Sequence, residues 1–155
     1  MDPTLHIVCP HCDTINRVPR AKLAAGGGSG GRCGQCRQRL FDGHPAAVDA
    51  AGFAKHVRGN DIAVLVDVWA PWCGPCRAMA PEFERAAAAL EPAVRLVKVN
   101  VDEEPALAQR FQTRSIPTLV LAFQGRELAR AAGARSAAQL VEWTRAALSR
   151  MPAEP

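Results

Sequence analysis

Trp69-Ala70-Pro71-Trp72-Cys73-Gly74-Pro75-Cys76-Arg77 puts two thiols two residues apart, fronted by an indole. The run before it, Ile62-Ala63-Val64-Leu65-Val66-Asp67-Val68, is apolar at all but one position, which predicts a strand buried on both faces. The stretch after it carries Met79, Phe83, Ala87 and Leu90 at helical spacing. A thiol pair at a strand-to-helix turn suits the making and breaking of disulfides.

At a helix start the partly positive amide ends favour a thiolate, so Cys73 is the candidate nucleophile. Its attack on a substrate disulfide forms a mixed disulfide, which Cys76, one turn on, resolves. Gly74-Pro75 makes the turn between them compact and stiff. The competing reading, a metal knuckle, needs two more ligands in this part of the chain, and no other Cys or His pair stands there.

Asp67 admits two readings. A carboxylate inside an apolar strand is costly unless paired or protonated. It is either a strand-edge residue with solvent access, or an acid of raised pKa that takes and returns the proton of Cys76. Lys98, on the neighbouring strand, either modulates Asp67 or belongs to a solvated face. Ile116-Pro117-Thr118 opens a further apolar strand with a proline, a place for a cis bond. The Ile116 backbone is a candidate to pair with an extended substrate segment.

Around these residues the pattern predicts a helix near 50–58, strands at 62–69 and 94–101, and a short helix at 104–111. A strand pair at 118–123 and 127–132 reads as a hairpin. Ser136-Ala137-Ala138-Gln139 fits a capping box, so a last helix follows. Crossovers through helices give parallel pairs and the hairpin an antiparallel edge. The fold class is therefore α/β, a mixed sheet flanked by helices, with a weakly signalled extra edge strand near 46–50.

The first 43 residues read differently. Their few apolar residues cannot hold a fold without a staple. Cys9, Cys12, Cys33 and Cys36 stand in the spacing Cys-x2-Cys-x20-Cys-x2-Cys, a zinc-ribbon signature. Four thiolates close one structural zinc site, and metal binding supplies the missing folding energy. Cys9-Pro10-His11-Cys12 also resembles the dithiol of strongly oxidising periplasmic enzymes, but those need a sheet and helix around the motif and an export signal. The Gly-rich run between the pairs is not a phosphate loop, because no Lys-Ser or Lys-Thr follows and no apolar strand precedes it. It predicts a flexible excursion. The domain reading is a ribbon at 1–43, a linker at 44–49, a redox domain at 50–150 and a disordered tail at 151–155.

The 155 residues are 48% hydrophobic and 22% charged, with a formal net charge of +4. Most of that excess lies in residues 1–45, six Arg/Lys against three Asp/Glu. Four zinc-bound thiolates would reduce it by two, so a polyanion site is not indicated and no nucleic-acid partner is expected. The start shows no basic region followed by a long apolar run, and no run approaches a membrane span. The expectation is a cytoplasmic chain without membrane association, whose cysteines are metal ligands or redox catalysts.

With these residues in place, the chain from about 50 to 150 resembles a thioredoxin. Trp72-Cys73-Gly74-Pro75-Cys76 is similar to the family's active-site motif, Asp67 to its buried Asp, Ile116-Pro117 to its cis-Pro loop, and Gly133 to the glycine beside its substrate groove. With the ribbon, the chain resembles the zinc-containing bacterial thioredoxin 2 type. Pro71 departs from the acidic residue common there in single-domain members. The resemblance implies reduction of disulfide-bearing proteins through Cys73 and Cys76, recharged by an NADPH-dependent flavoprotein reductase. It implies a substrate surface of Trp72, Gly74, Pro75, Ile116, Pro117 and Gly133, and no cofactor in the redox domain. A monomer is expected. Two other classes remain open at this point: a ribbon that docks partners with the second domain as passenger, and a switch in which oxidation of the ribbon thiols ejects zinc.

Overall fold

A computed structural model describes residues 4–24 and 30–151. The start of the chain, most of the Gly-rich excursion and the tail from 152 lie outside the described residues.

The apolar run after Ile62 forms β4 (Ala63–Trp69), and every residue but the last is buried. That follows from its place in a five-stranded sheet ordered β3 (Ala46–Ala47), β5 (Val94–Asn100), β4, β6 (Thr118–Phe123) and β7 (Arg126–Ala132), where β4 is central. β5 (Val94–Asn100) lies parallel on one side, and β6 (Thr118–Phe123) antiparallel on the other. β7 (Arg126–Ala132) closes the hairpin with a register shift at Leu121/Ala122. The stretch 44–49, expected as a linker, carries the edge strand β3 (Ala46–Ala47) paired parallel to β5. It also supplies Asp49, whose side chain caps α2 (Ala50–Gly59) by accepting from Gly52 N–H.

Helices cover both faces. α3 (Gly74–Leu90) and α5 (Ala137–Ser149) bury Met79, Phe83, Leu90 and Leu140 against Leu65, Leu96, Leu119 and Leu121. Ser136 and Gln139 form the reciprocal capping box that starts α5. On the opposite face α2 and α4 (Pro105–Phe111) bring Phe53, Val57, Leu107 and Phe111 onto Val64, Val66, Val97 and Val120. Phe53 and Phe111 meet edge to face at 5.2 Å.

The N-terminal part adds an antiparallel pair, β1 (Thr4–Val8) and β2 (Ile15–Pro19), and a short helix α1 (Arg20–Ala24). Its core of Ile7, Val18, Leu40 and Phe41 includes Ile62 from the sheet domain. The C-terminal end of the Gly-rich run is not slack. Gly30 is buried at φ +70°, where a Cβ would lie 3.0 Å from Leu23 and from Phe41.

The two parts meet through polar groups that sequence reading left without a role. Asn60, fully buried, accepts from Val8 N–H through Oδ1 at 2.8 Å and donates to the His56 carbonyl at 2.9 Å. The His6 ring and backbone N–H both contact Asp61 Oδ2. His56 is fully buried, and burial together with nearby Arg95 pushes its pKa down to about 3, so the ring is neutral. Because Asn60 Nδ2 is a donor, His56 Nδ1 accepts and the proton sits on Nε2, 3.4 Å from Asp13 Oδ1.

The deepest of these contacts is Arg95. It stands on the apolar parity of β5, with Val97 and Val99, and is 1% exposed. Its guanidinium donates to the carbonyls of Val8 (3.1 Å) and Leu40 (2.8 Å) and lies 4.3 Å over the Phe41 ring. Glu91, also buried, is 3.4 Å away and accepts from Gly43 N–H at 2.8 Å. Burial holds the Glu91 carboxyl up at about 7 and pulls Arg95 down to about 10, so Arg95 stays charged at neutral pH.

Candidate active site and metal centre

Cys73 is the N-cap residue of α3, held in extended backbone, and Cys76 N–H donates to its Sγ at 3.2 Å. Gly74 and Pro75 form the first helical positions, where proline's missing N–H costs nothing. The two sulfurs are joined in a disulfide, with Cα atoms 5.2 Å apart. A sulfur placed on free amide ends is electrostatically favoured as a thiolate once the bond is reduced.

The sequence-predicted neighbours converge on this pair. Cys73 and Cys76 cluster with Ala70, Trp69, Val101 and Ile116. The Ile116 carbonyl oxygen lies 3.7 Å from Cys73 Sγ, and the Ile116–Pro117 peptide is cis. Gly133 N–H donates to the Pro117 carbonyl at 2.9 Å, from a backbone with φ +97° that a side chain would strain. Trp72 is 66% exposed and donates from Nε1 to Asp102 Oδ1 at 3.1 Å.

Asp67 is 1% exposed, and its Oδ1 has no partner among the described residues. The reading of solvent access therefore fails. Burial pushes its pKa up to about 7, against the opposing pull of the Lys98 charge. Lys98 is its register partner on β5, but the ammonium lies 4.6 Å over the Trp69 ring. It acts on Asp67 through space.

The other four thiols gather in the N-terminal part. The Cys9, Cys12, Cys33 and Cys36 sulfurs all lie within 4.8 Å of one another, with Cys9–Cys36 and Cys12–Cys33 at 3.6 Å. A tetrahedral thiolate site with metal–sulfur bonds near 2.3 Å requires sulfurs about 3.8 Å apart. The backbone around both pairs is the same. Cys9 N–H bonds the Thr14 carbonyl and Asp13 N–H the Cys9 carbonyl; Cys33 pairs likewise with Gln38 and Arg37. In each knuckle an amide two residues on, His11 or Gln35, points at the first sulfur at 3.3 Å. Such donors offset thiolate charge, so the residues fit a divalent metal. Each knuckle closes on a residue with positive φ that is not glycine, Asp13 (64°) and Arg37 (69°), a feature invisible in the spacing. His11 is not among these ligands; its Nε2 lies 3.4 Å from Asp42.

A redox dithiol at a helix start, on a central strand with a buried carboxylate, defines a disulfide oxidoreductase of α/β fold. The thioredoxin profile matches residues 44–146, and the profile described as "Thioredoxin 2, N-terminal" matches residues 8–38. Thioredoxin C-3 of Corynebacterium nephridii is 41% identical over 137 residues, covering 88% of this chain and 91% of that protein. A thioredoxin from Haemophilus influenzae is 41% identical, covering 62% of this chain and 90% of its own. Among solved structures, a mutant thioredoxin from Halobacterium salinarum superposes with a TM-score of 0.63 at 29% identity, over 72% of this chain and 97% of that one. The chain belongs to the thioredoxin family, with a zinc-ribbon-type N-terminal region. It is a protein-disulfide reductase acting through Cys73 and Cys76. Among the described residues, no helix is long and apolar enough to cross a membrane.

Proposed function

We propose that Cys73 attacks and Cys76 resolves, in a cytoplasmic, monomeric electron carrier that an NADPH-dependent thioredoxin reductase recharges. The observation that carries this reading is Cys73 at the N-cap of α3, its sulfur already an acceptor for Cys76 N–H. The Cys73 thiolate attacks one sulfur of the substrate disulfide; the other sulfur leaves as a thiolate and takes a proton. Cys76 then loses its proton to the Asp67 carboxylate and attacks Cys73 Sγ. The substrate's second sulfur leaves, and the substrate has gained two electrons. Trp72, Gly74, Pro75, Ile116, Pro117 and Gly133 form the surface that holds the substrate, and Lys98 tunes Asp67. Cys9, Cys12, Cys33 and Cys36 hold one structural zinc, which when bound neutralises their charge and braces the ribbon.

The test is metal analysis with thiol counting on protein purified anaerobically and reduced. One zinc and two rapidly titrated thiols per chain are expected. A metal-free protein with six reactive thiols overturns the zinc site, and one with no rapidly titrated thiols overturns the dithiol.

Asp67 gives a second test. A carboxyl with a raised folded pKa contributes stability below its unfolded pKa, near 3.8, and loses it as pH climbs through about 7. Asp67→Asn should therefore gain stability relative to the native protein above pH 7 and not below pH 4. As a base, Asp67 must be ionised. Turnover should rise with pH through about 7 in the native protein, and Asp67→Asn should flatten that rise and slow turnover by about ten- to a hundredfold. An unchanged pH–rate profile would remove Asp67 from the proton path.

A further inference from the structure

One cleft adjoins the dithiol groove and is unused by the chemistry above. It is about 330 Å³ in volume, and its walls include Thr113, Arg114, Ser115, Arg130 and Ala132. Ser115 and Ala132 are the chain neighbours of Ile116, whose carbonyl lies beside Cys73, and of Gly133, which bonds Pro117. Gln112, in left-handed backbone at φ 53°, turns the chain after α4 and brings Thr113 and Arg114 to this place.

The cleft's charges are unequally spent. Arg130 donates to both carboxylate oxygens of Glu127, each at 2.8 Å, and to the Phe111 carbonyl at 2.7 Å. Its charge is matched and its donors are occupied. Arg114 is exposed and has no hydrogen-bond or ion-pair partner among the described residues. The Thr113 hydroxyl has no partner among them either, but it is buried and offers no surface to an incoming group. Arg135, on the same flank, donates to the carbonyls of Ala132 and Gly133. At Trp72 the sign is negative, since Asp102 accepts from its Nε1 and Glu103 and Glu104 follow in sequence. The flank beside Ile116 is thus the positive one, with a recess and a free guanidinium.

We propose that this cleft is a selectivity subsite, which takes an Asp or Glu side chain lying two or three residues from the substrate's reacting cysteine, with Arg114 as counterion. The inference rests on the reductase reading above. An extended segment advances about 3.3 Å per residue, so such a side chain stands about 7–10 Å along from the sulfur under attack. Its carboxylate would accept from the guanidinium of Arg114, and a Lys at the same place would meet repulsion.

The experiment uses disulfide peptides with Glu, Gln or Lys two residues from the reacting cysteine, one series on each flank. Their kcat/KM is compared at low salt, alongside uncharged hydroxyethyl disulfide. The native protein should prefer Glu over Lys at least about fivefold on one flank. That ratio should fall to about one in Arg114→Gln and persist in Arg77→Gln, an exposed cation on α3 outside the cleft. A native protein indifferent to charge on both flanks overturns the subsite, provided hydroxyethyl disulfide is reduced. Equal loss of preference in Arg77→Gln and Arg114→Gln also overturns it, in favour of a general surface field. Failure to reduce hydroxyethyl disulfide strikes the reductase reading itself.

Discussion

Cys73→Ser should abolish turnover of a model disulfide protein supplied with NADPH and a thioredoxin reductase, a loss of at least about a thousandfold. A serine hydroxyl does not ionise near neutral pH, and no helix start lowers its pKa enough to replace a thiolate. None of the five remaining thiols can substitute, because Cys76 is buried and the other four lie in the ribbon cluster. Cys76→Ser should fail in a different way. The first attack stays intact, the resolving sulfur is gone, and the substrate accumulates as a mixed disulfide on Cys73. Mass spectrometry of the trapped complex, released by dithiothreitol, distinguishes the two variants. Turnover at native speed in Cys73→Ser, or trapping through a ribbon cysteine, would reverse the assignment.

Arg95→Leu should lower the unfolding free energy by about 3–5 kcal/mol, the usual cost of removing one partner from a buried charge cluster. The loss has identifiable parts. The Val8 and Leu40 carbonyls would be left buried without their donor, and Glu91 without its counter-charge. Phe41 would lose the guanidinium over its ring. Urea unfolding of the metal-loaded protein measures it. Adding Glu91→Gln to Arg95→Leu should recover part of the loss, because no unpaired carboxylate then remains. A change under 1 kcal/mol in Arg95→Leu would mean that water already solvates the junction.

What could be seen in the sequence divides along contact range. Strands and helices of the sheet domain declare themselves through local periodicity: Met79, Phe83, Ala87 and Leu90 are spaced to be buried together, and they are. The dithiol and the ribbon cysteines are legible because their chemistry depends on short spacings. The junction is not. Arg95 and Val8 are 87 residues apart, and no periodicity connects them. One signal existed, since Arg95 shares the apolar parity of β5 with Val97 and Val99; a charge there requires a cover the sheet domain lacks. β3 escaped a firm assignment because two alanines and a proline-led loop carry little strand propensity. The left-handed Arg37 had no marker, because tertiary closure of its knuckle imposes a conformation its side chain does not favour, whereas Asp13 is of a type that tolerates it.

Ile62 sits in the ribbon's core while its neighbours sit in the sheet's, and Arg95 is bonded across the same boundary. At these residues the two halves share core and hydrogen bonds, so opening one there disturbs the other. Mass action would follow: a metal that binds the four folded thiolates more tightly than the unfolded chain would let its free concentration set how often the reductase half opens as well. Cells that let metal availability fall would shorten the lifetime of the dithiol's scaffold without touching either catalytic sulfur.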